Sequence, residues 1–299
     1  MQQAEIKSKK FSRWLLASRP KTLPAAFAPV FVGSALAFNS GVFKFVNALI
    51  ALICSVLIQV GTNFVNDLYD FLTGNDSPNR VGPTRALSSG LISIREMKLA
   101  IIITFGLTFV LGLYLVYQSD YWILLIGILS IISGIAYTAG PFPLAYNALG
   151  DLFVFIFFGF VGTIGTYYVQ AVKIIELSIW ASVPVGALIT NILVVNNLRD
   201  IDEDKSNNKI TLAVIIGRQF TKFQYVLSIV ISNLVIVFIY VKFIQNFFVL
   251  LPLITIPISI SLIKMIFTTT GENLNKTLAL TALFSASFSF LFALGIILS

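Results

Sequence analysis

Two stretches of the sequence repeat carboxylates and carboxamides at helical spacing. The first reads NFVNDLYDFLTGND and sets Asn63, Asn66, Asp67 and Asp70 at i, i+3, i+4 and i+7, so that one helix face presents all four. The second, NNLRDIDEDK, sets Asn197, Asp200 and Asp204 on one face by the same rule and turns Asp202 and Glu203 elsewhere. Oxygen-rich faces of this kind suit Mg²⁺, which binds through a few carboxylates while bridging substrate phosphates. The chain has no His, which excludes imidazole metal sites, His-ligated haem and every Ser–His or Cys–His nucleophile scheme. Any metal chemistry must fall to the acidic residues. Basic residues follow each cluster: Arg80 and Arg85 after the first, Lys205 and Lys209 after the second, with Arg199 inside it. A bound diphosphate would need such partners beyond a metal.

The elements that must position these faces are membrane helices. The chain has 299 residues, of which 57% are hydrophobic and 11% charged, and a mean hydropathy of +0.92. A soluble globule carries nearer about a quarter charged residues, so lipid is the solvent this composition fits. Apolar runs long enough to span, at roughly 20 residues per crossing, lie near 23–40, 45–66, 98–117, 121–138, 149–170, 178–197, 223–242, 246–267 and 277–298. These predict a single membrane domain over 1–299, an all-α bundle of nine transmembrane helices behind a basic N-terminal segment, 1–20.

With a cytoplasmic N-terminus, seventeen of the twenty Lys and Arg fall in cytoplasmic segments and only Lys44, Lys173 and Lys242 fall outside. The net charge of +7 thus reflects topology, since the basic residues lie between apolar runs and form no nucleic-acid-binding patch. The basic start and the apolar run Leu23–Phe38 have the outline of a signal peptide. Pro24, Pro29 and the spans that follow at once favour a first transmembrane helix. In this topology both acidic faces end spans that run inward, and both reach one membrane face although they lie 133 positions apart. An ionised Asp in hydrocarbon costs roughly 3 kcal/mol on insertion scales, so several per helix call for pairing, solvation or a metal. Either cluster alone could be a solvated helix end; the two together, each with Asn on the acidic face, point to one shared site.

Other features read as structural. Ser93-Ile94-Arg95-Glu96 is a capping box that predicts the start of the third span. Gly159, Gly162 and Gly165 recur at helical spacing in the fifth span and predict close backbone packing. Cys54 stands alone in an apolar run, without the means to form a disulfide framework. Tyr69, Tyr137, Phe157 and Tyr168 are candidate aromatic liners of a dry cavity.

NDLYD and DIDED at two helix ends resemble the aspartate-rich motifs of the UbiA-type intramembrane prenyltransferases. The segments SRPKTLPAAFAPVFVGSALA, NDLYDFLTGNDSPNRVGPTRALSSG, YTAGPFPLAYNALGD and NNLRDIDEDKSNNKITLAVIIG resemble the 1,4-dihydroxy-2-naphthoate branch of that family, from Ser18 to Gly217. The resemblance implies a bundle with a central cavity capped by cytoplasmic loops and open sideways to lipid. It also implies that Asp67, Asp70, Asp200 and Asp204 hold two Mg²⁺ on a polyprenyl diphosphate, with Asn63, Asn66 and Asn197 in support. Arg80, Arg85 and Lys209 would face the diphosphate or the acceptor carboxylate. Gly74 stands where the wider family often has a third acid, with Asp76 nearby.

The implied reaction moves the prenyl group onto 1,4-dihydroxy-2-naphthoate with loss of CO₂ and diphosphate, giving demethylmenaquinol for menaquinone biosynthesis at the cell membrane. Other acceptors, such as 4-hydroxybenzoate or homogentisate, would keep the same chemistry. A cation-coupled secondary transporter is the reading from another class. Transport sites lie in broken helices near the midplane, whereas these acidic faces lie at helix ends.

Overall fold

The computed structural model describes residues 10–74 and 85–299 of the chain. Ten helices account for most of them. The first, α1 (Lys10–Ser18), is short and amphipathic, and α2 (Pro24–Asn39) follows a tight turn. Then come α3 (Phe45–Leu72), α4 (Ile94–Gln118), α5 (Tyr121–Ala136) and α6 (Gly150–Ala171). The remainder are α7 (Glu176–Ser206), α8 (Leu212–Lys242), α9 (Phe247–Thr268) and α10 (Leu274–Ile297). Seven of these are long and apolar enough to cross a membrane: α3, α4 and the five from α6 to the last, counted with the short turn at Gly271. The apolar helices α2 and α5 are shorter, at 16 residues each. Among the described residues the only extended pairing is a parallel bridge between Asn147 and Ile210.

The sequence-predicted spans match helices with two informative differences. Helix α3 runs on to Leu72 and α7 to Ser206, past the ends of the apolar runs, and the acidic faces expected at these helix ends, Asp67 with Asp70 and Asp200 with Asp204, are helical. The long polar stretch after residue 199 is therefore mostly helical, and α8 begins at Leu212, well before the expected 223. Gly217 sits inside α8 at φ 76, ψ 168, a left-handed backbone that breaks the helix into a short apolar first turn, Leu212 to Ile216, and a long span. At the start of α4 the capping box is formed, with the Ser93 hydroxyl accepting from Glu96 N and the Glu96 carboxylate accepting from Ser93 N at 2.8 Å.

Helix α7 is the axis of the bundle. Its apolar window is 78% buried, against 17–56% for the other long helices, and it packs on α6, α8 and α10. Helix α2 also packs against α10 and α6. The core between them includes Leu36, Val185, Leu188, Val195, Tyr225, Ile236, Phe288 and Phe292. Outward faces carry Ile102, Val110, Leu227 and Leu234, all exposed as lipid-facing residues are.

Of the three glycines in α6, two serve packing and one does not. A Cβ on Gly159 would stand 3.0 Å from the Gly186 Cα and Ser182 O of α7, and one on Gly162 would meet Pro29 of α2 at 2.7 Å. Gly165 has nothing within 4 Å, because it faces a cavity. We expect Gly186→Leu to destabilise the bundle by about 1–3 kcal/mol, the range for overpacking, as a lower melting temperature in detergent. Gly165→Ala should leave that temperature unchanged.

Candidate active site

The acidic face of α3 is held in place by the segment that follows it. The Asp67 Oδ2 accepts the Ala86 N–H at 3.2 Å, which brings Arg85 over the helix end. Arg85 donates to the Asn66 Oδ1 at 2.8 Å and the Asn66 carbonyl at 3.2 Å, and it forms an ion pair with Asp70. Arg13 of α1 donates to Leu91 O at 3.0 Å, and Trp14 packs edge-on against Phe64 with ring centroids 5.6 Å apart. The amphipathic first helix thus closes over the same end of α3.

The acidic face of α7 is held by its own cap. Asn208 takes φ 55, and the Lys209 N–H returns to Asp204 O at 2.9 Å, a helix-terminating reversal with Asn in the left-handed position. The turn brings the Lys209 Nζ to 3.0 Å from the Asp204 carboxylate. One residue later, Ile210 N donates to Tyr146 O at 3.1 Å while Ala148 N donates to Ile210 O at 2.7 Å. That bridge lays the 137–149 loop across the site. There Tyr146 donates its hydroxyl to Asp70, and its ring lies beneath Lys209. Asp200 is gripped by Arg199 through Nε and Nη2, each at 2.6 Å, and Arg199 is itself tied to Asn196 and to Asn275 at the start of α10.

The two acidic faces converge. Asp70 of α3 and Asp200 of α7 line one polar cavity of about 70 Å³, together with Asn66, Arg85, Asn197 and Lys209. Asp67 is buried behind this wall on Ala86, and Asp204 is buried beneath Lys209. Asn63 donates instead to Ser18 O at 2.9 Å and the Thr22 hydroxyl at 3.2 Å, pinning the turn between α1 and α2. Lys205 is exposed, as is Asp202, which pairs with Arg218 of α8. Arg80 and Asp76 lie outside the described residues.

The polar cavity meets a larger apolar one of about 390 Å³, and the two share Arg19, Asn66, Tyr137, Leu193 and Asn196. Phe109, Leu113, Ile123, Phe157 and Phe158 line the apolar cavity, as does Gly165. Of the four aromatics expected as liners, Tyr137 and Phe157 are there. Tyr69 packs between neighbouring helices, and Tyr168 donates to Asp120, which N-caps α5. Tyr137 borders both cavities, where its phenol hydroxyl can donate a hydrogen bond.

Arg19, Tyr146, Asp151 and Asn196 also line the polar cavity, although sequence spacing did not single them out. Arg19 occupies a left-handed backbone, φ 51, between α1 and α2 and donates to Asn66 at 3.4 Å. Nothing periodic marks any of the four. The available signal was that Tyr146 and Asp151 lie in YTAGPFPLAYNALGD and Arg19 in SRPKTLPAAFAPVFVGSALA, two of the segments that carry the family resemblance.

An all-oxygen donor set with carboxylates from two helices fits a hard divalent cation. Among the described residues no three carboxylates form a ready-made metal cage. Mg²⁺ does not need one, since it keeps waters and takes one or two carboxylates plus substrate phosphates. The Asp204 Oδ2 is buried and accepts no hydrogen bond, an oxygen left to coordinate rather than to be capped.

Residues 26–288 match the UbiA prenyltransferase family, and the chain belongs to it. It is 44% identical over 210 residues to the 1,4-dihydroxy-2-naphthoate octaprenyltransferase of Escherichia coli (strain K12), covering 68% of each chain. To the enzyme of that name from Bacillus subtilis (strain 168) it is 30% identical over 288 residues, 96% of this chain and 92% of the other. The fold is also that of a UbiA homolog from Archaeoglobus fulgidus solved with GPP and Mg²⁺. That match has a TM-score of 0.65 at 16% identity and covers 96% of this chain and all of the other.

Arg85 and Asp70 are both buried, their side chains 8% and 10% exposed. Removing one partner of a buried pair costs about 3–5 kcal/mol, so Arg85→Ala should markedly lower the melting temperature in detergent. Adding Asp70→Asn to that variant should recover part of the loss, because the uncompensated charge is gone.

Proposed function

We propose that this protein transfers a polyprenyl group from polyprenyl diphosphate to 1,4-dihydroxy-2-naphthoate, releasing CO₂ and diphosphate and giving demethylmenaquinol. The observation that carries the reading is the junction of the two cavities: acidic and basic side chains from α3, α7 and their caps meet at the mouth of an apolar chamber. A diphosphate with a long hydrocarbon tail has this division of character. The acceptor is taken from the relatives, since the naphthoate enzymes of E. coli and B. subtilis match this chain over most of its length.

Asp67, Asp70, Asp200 and Asp204 would hold Mg²⁺, with Asn66 and Asn197 beside them. When bound, the ion supplies positive charge that offsets the charge gathering on the leaving diphosphate. The chain's own residues do the rest. Arg85, Lys209 and Arg19 present their cationic heads to the polar cavity and bind phosphate or carboxylate oxygens there. The apolar chamber keeps water from the allylic centre, and its Phe157 and Phe158 rings offer negative faces to positive charge. Holding donor and acceptor together removes much of the entropic barrier to their meeting. In this reading the seven long helices and the shorter α2 and α5 make nine crossings of the cell membrane. The N-terminus and the polar cavity then face the cytoplasm, in keeping with the distribution of Lys and Arg.

The test is an assay of membranes containing this chain with a labelled prenyl diphosphate and each aromatic acceptor. A prenylated, decarboxylated product from the naphthoate is expected; product from 4-hydroxybenzoate alone would overturn the acceptor. Asp67→Asn and Asp200→Asn should each lower kcat by at least about 10²–10³-fold, the scale of losing one electrostatic stabiliser, with the protein still folded. Retained activity in both variants would end the metal-clamp account. Lys209→Ala should raise the KM of one substrate without abolishing turnover.

A further inference from the structure

Three carboxylates line the polar cavity among the described residues: Asp70, Asp151 and Asp200. Asp70 faces Arg85 and Asp200 faces Arg199, each pair in direct contact. Asp151 is as deeply buried, at 7% exposure, but among the described residues no cation forms an ion pair with it. Its Oδ1 accepts a hydrogen bond at 2.9 Å from Nε2 of Gln224, a neutral partner on α8, and its Oδ2 receives none from a side chain. Its place in the first turn of α6 makes a negative charge tolerable, since the helix dipole offers about 0.3–1 kcal/mol there. It does not call for one: an Asn would accept from Gln224 equally well. A buried carboxyl group with no counter-ion is suited to taking up a proton.

We propose that Asp151 is the proton acceptor for the hydroxyl of the aromatic substrate. The assignment rests on the reading that this site prenylates a hydroxylated ring. The other candidates are engaged: Asp70 and Asp200 in ion pairs with Arg85 and Arg199, Lys209 with Asp204, and Tyr137, a phenol, as a donor. The chain has no His to take the role. Asp151 also stands beside that donor, since the neighbouring Gly150 lies against the Tyr137 hydroxyl.

In the step assigned here, the Asp151 carboxylate takes the proton of the hydroxyl next to the ring carboxylate. The freed electron pair moves into the ring, and the carbon bearing the carboxylate bonds to the allylic carbon as the C–O bond to diphosphate breaks. Diphosphate leaves with its electron pair. The alkylated ring is now a β-keto acid anion. Its bond to the carboxylate breaks, CO₂ departs, and the pair returns to the ring oxygen as an enolate, which takes the proton back from Asp151. The prenyl group has replaced CO₂, and no proton is gained or lost.

The experiment compares purified wild type, Asp151→Asn and Asp151→Ala with the prenyl diphosphate, Mg²⁺ and two acceptors, the naphthoate and a ring-fluorinated analogue with a more acidic hydroxyl. A lost general base costs about 10²–10⁴-fold. We expect kcat of Asp151→Asn to fall by that factor with the KM for prenyl diphosphate within about twofold. The deficit should shrink by about tenfold or more with the acidic analogue, which needs less help to lose its proton. Turnover of Asp151→Ala should return on adding formate, which can enter the space vacated by the carboxylate. A kcat within about threefold of wild type, or an equal deficit with both acceptors and no rescue by formate, would overturn the assignment. Formate rescue alone decides the matter should Asp151→Asn not fold. If the wild type prenylates 4-hydroxybenzoate and not the naphthoate, the acceptor proposed above fails by itself. The Asp151 comparison is then read with that phenol, and the same two outcomes decide it.

Discussion

Ionised carboxylates at the ends of apolar helices are the constraint around which this molecule is built. Asp70, Asp200 and Asp204 are all buried, and each would be intolerably costly if left alone in a low-dielectric interior. Each is met by a cation that follows closely in the chain or stands next to it: Arg85, Arg199 and Lys209. The polypeptide after each helix must therefore turn back over the helix end, and these returning segments make the polar roof of the cavity. The roof is a by-product of charge compensation, and the cavity exists because the compensation leaves room for further phosphate-sized charge.

Beneath that roof the structure changes character within one side-chain length. Arg19, Asn66, Tyr137 and Asn196 border both the polar cavity and the apolar one. Their polar heads can address a charged group while the walls beyond them are Phe, Leu and Ile. The close backbone approach of α6 to α7 at Gly159 and Gly186 fixes one wall of the apolar space, and the open position of Gly165 leaves the space itself unfilled. One helix thus uses the same residue type for contact and for vacancy, two roles that spacing alone does not separate.

Much of this was legible in the sequence because helical periodicity is a local property. Asp67 with Asp70, and Asp200 with Asp204, could be put on shared faces by counting, and hydropathy located the helices that carry them. Hydropathy ends the apolar runs near 66 and 197, whereas α3 and α7 continue as helix beyond them, as the spacing of the acidic residues requires. Long-range placement was not legible. Tyr146 reaches Asp70 across 76 positions, Gln224 reaches Asp151 across 73, and Arg199 reaches Asn275 across 76. Tyr146, Asp151, Gln224 and Asn275 belong to no periodic pattern, so nothing short of the folded chain assigns them to the site.

The backbone bridge between Asn147 and Ile210 carries a mechanical implication. It fastens the strap over α3, through Tyr146, to the strap over α7, through Lys209. Swinging either strap aside alone would strand peptide N–H and C=O groups that now satisfy each other across the gap. The two straps are therefore tied mechanically, and each holds the other in place over its acidic helix end.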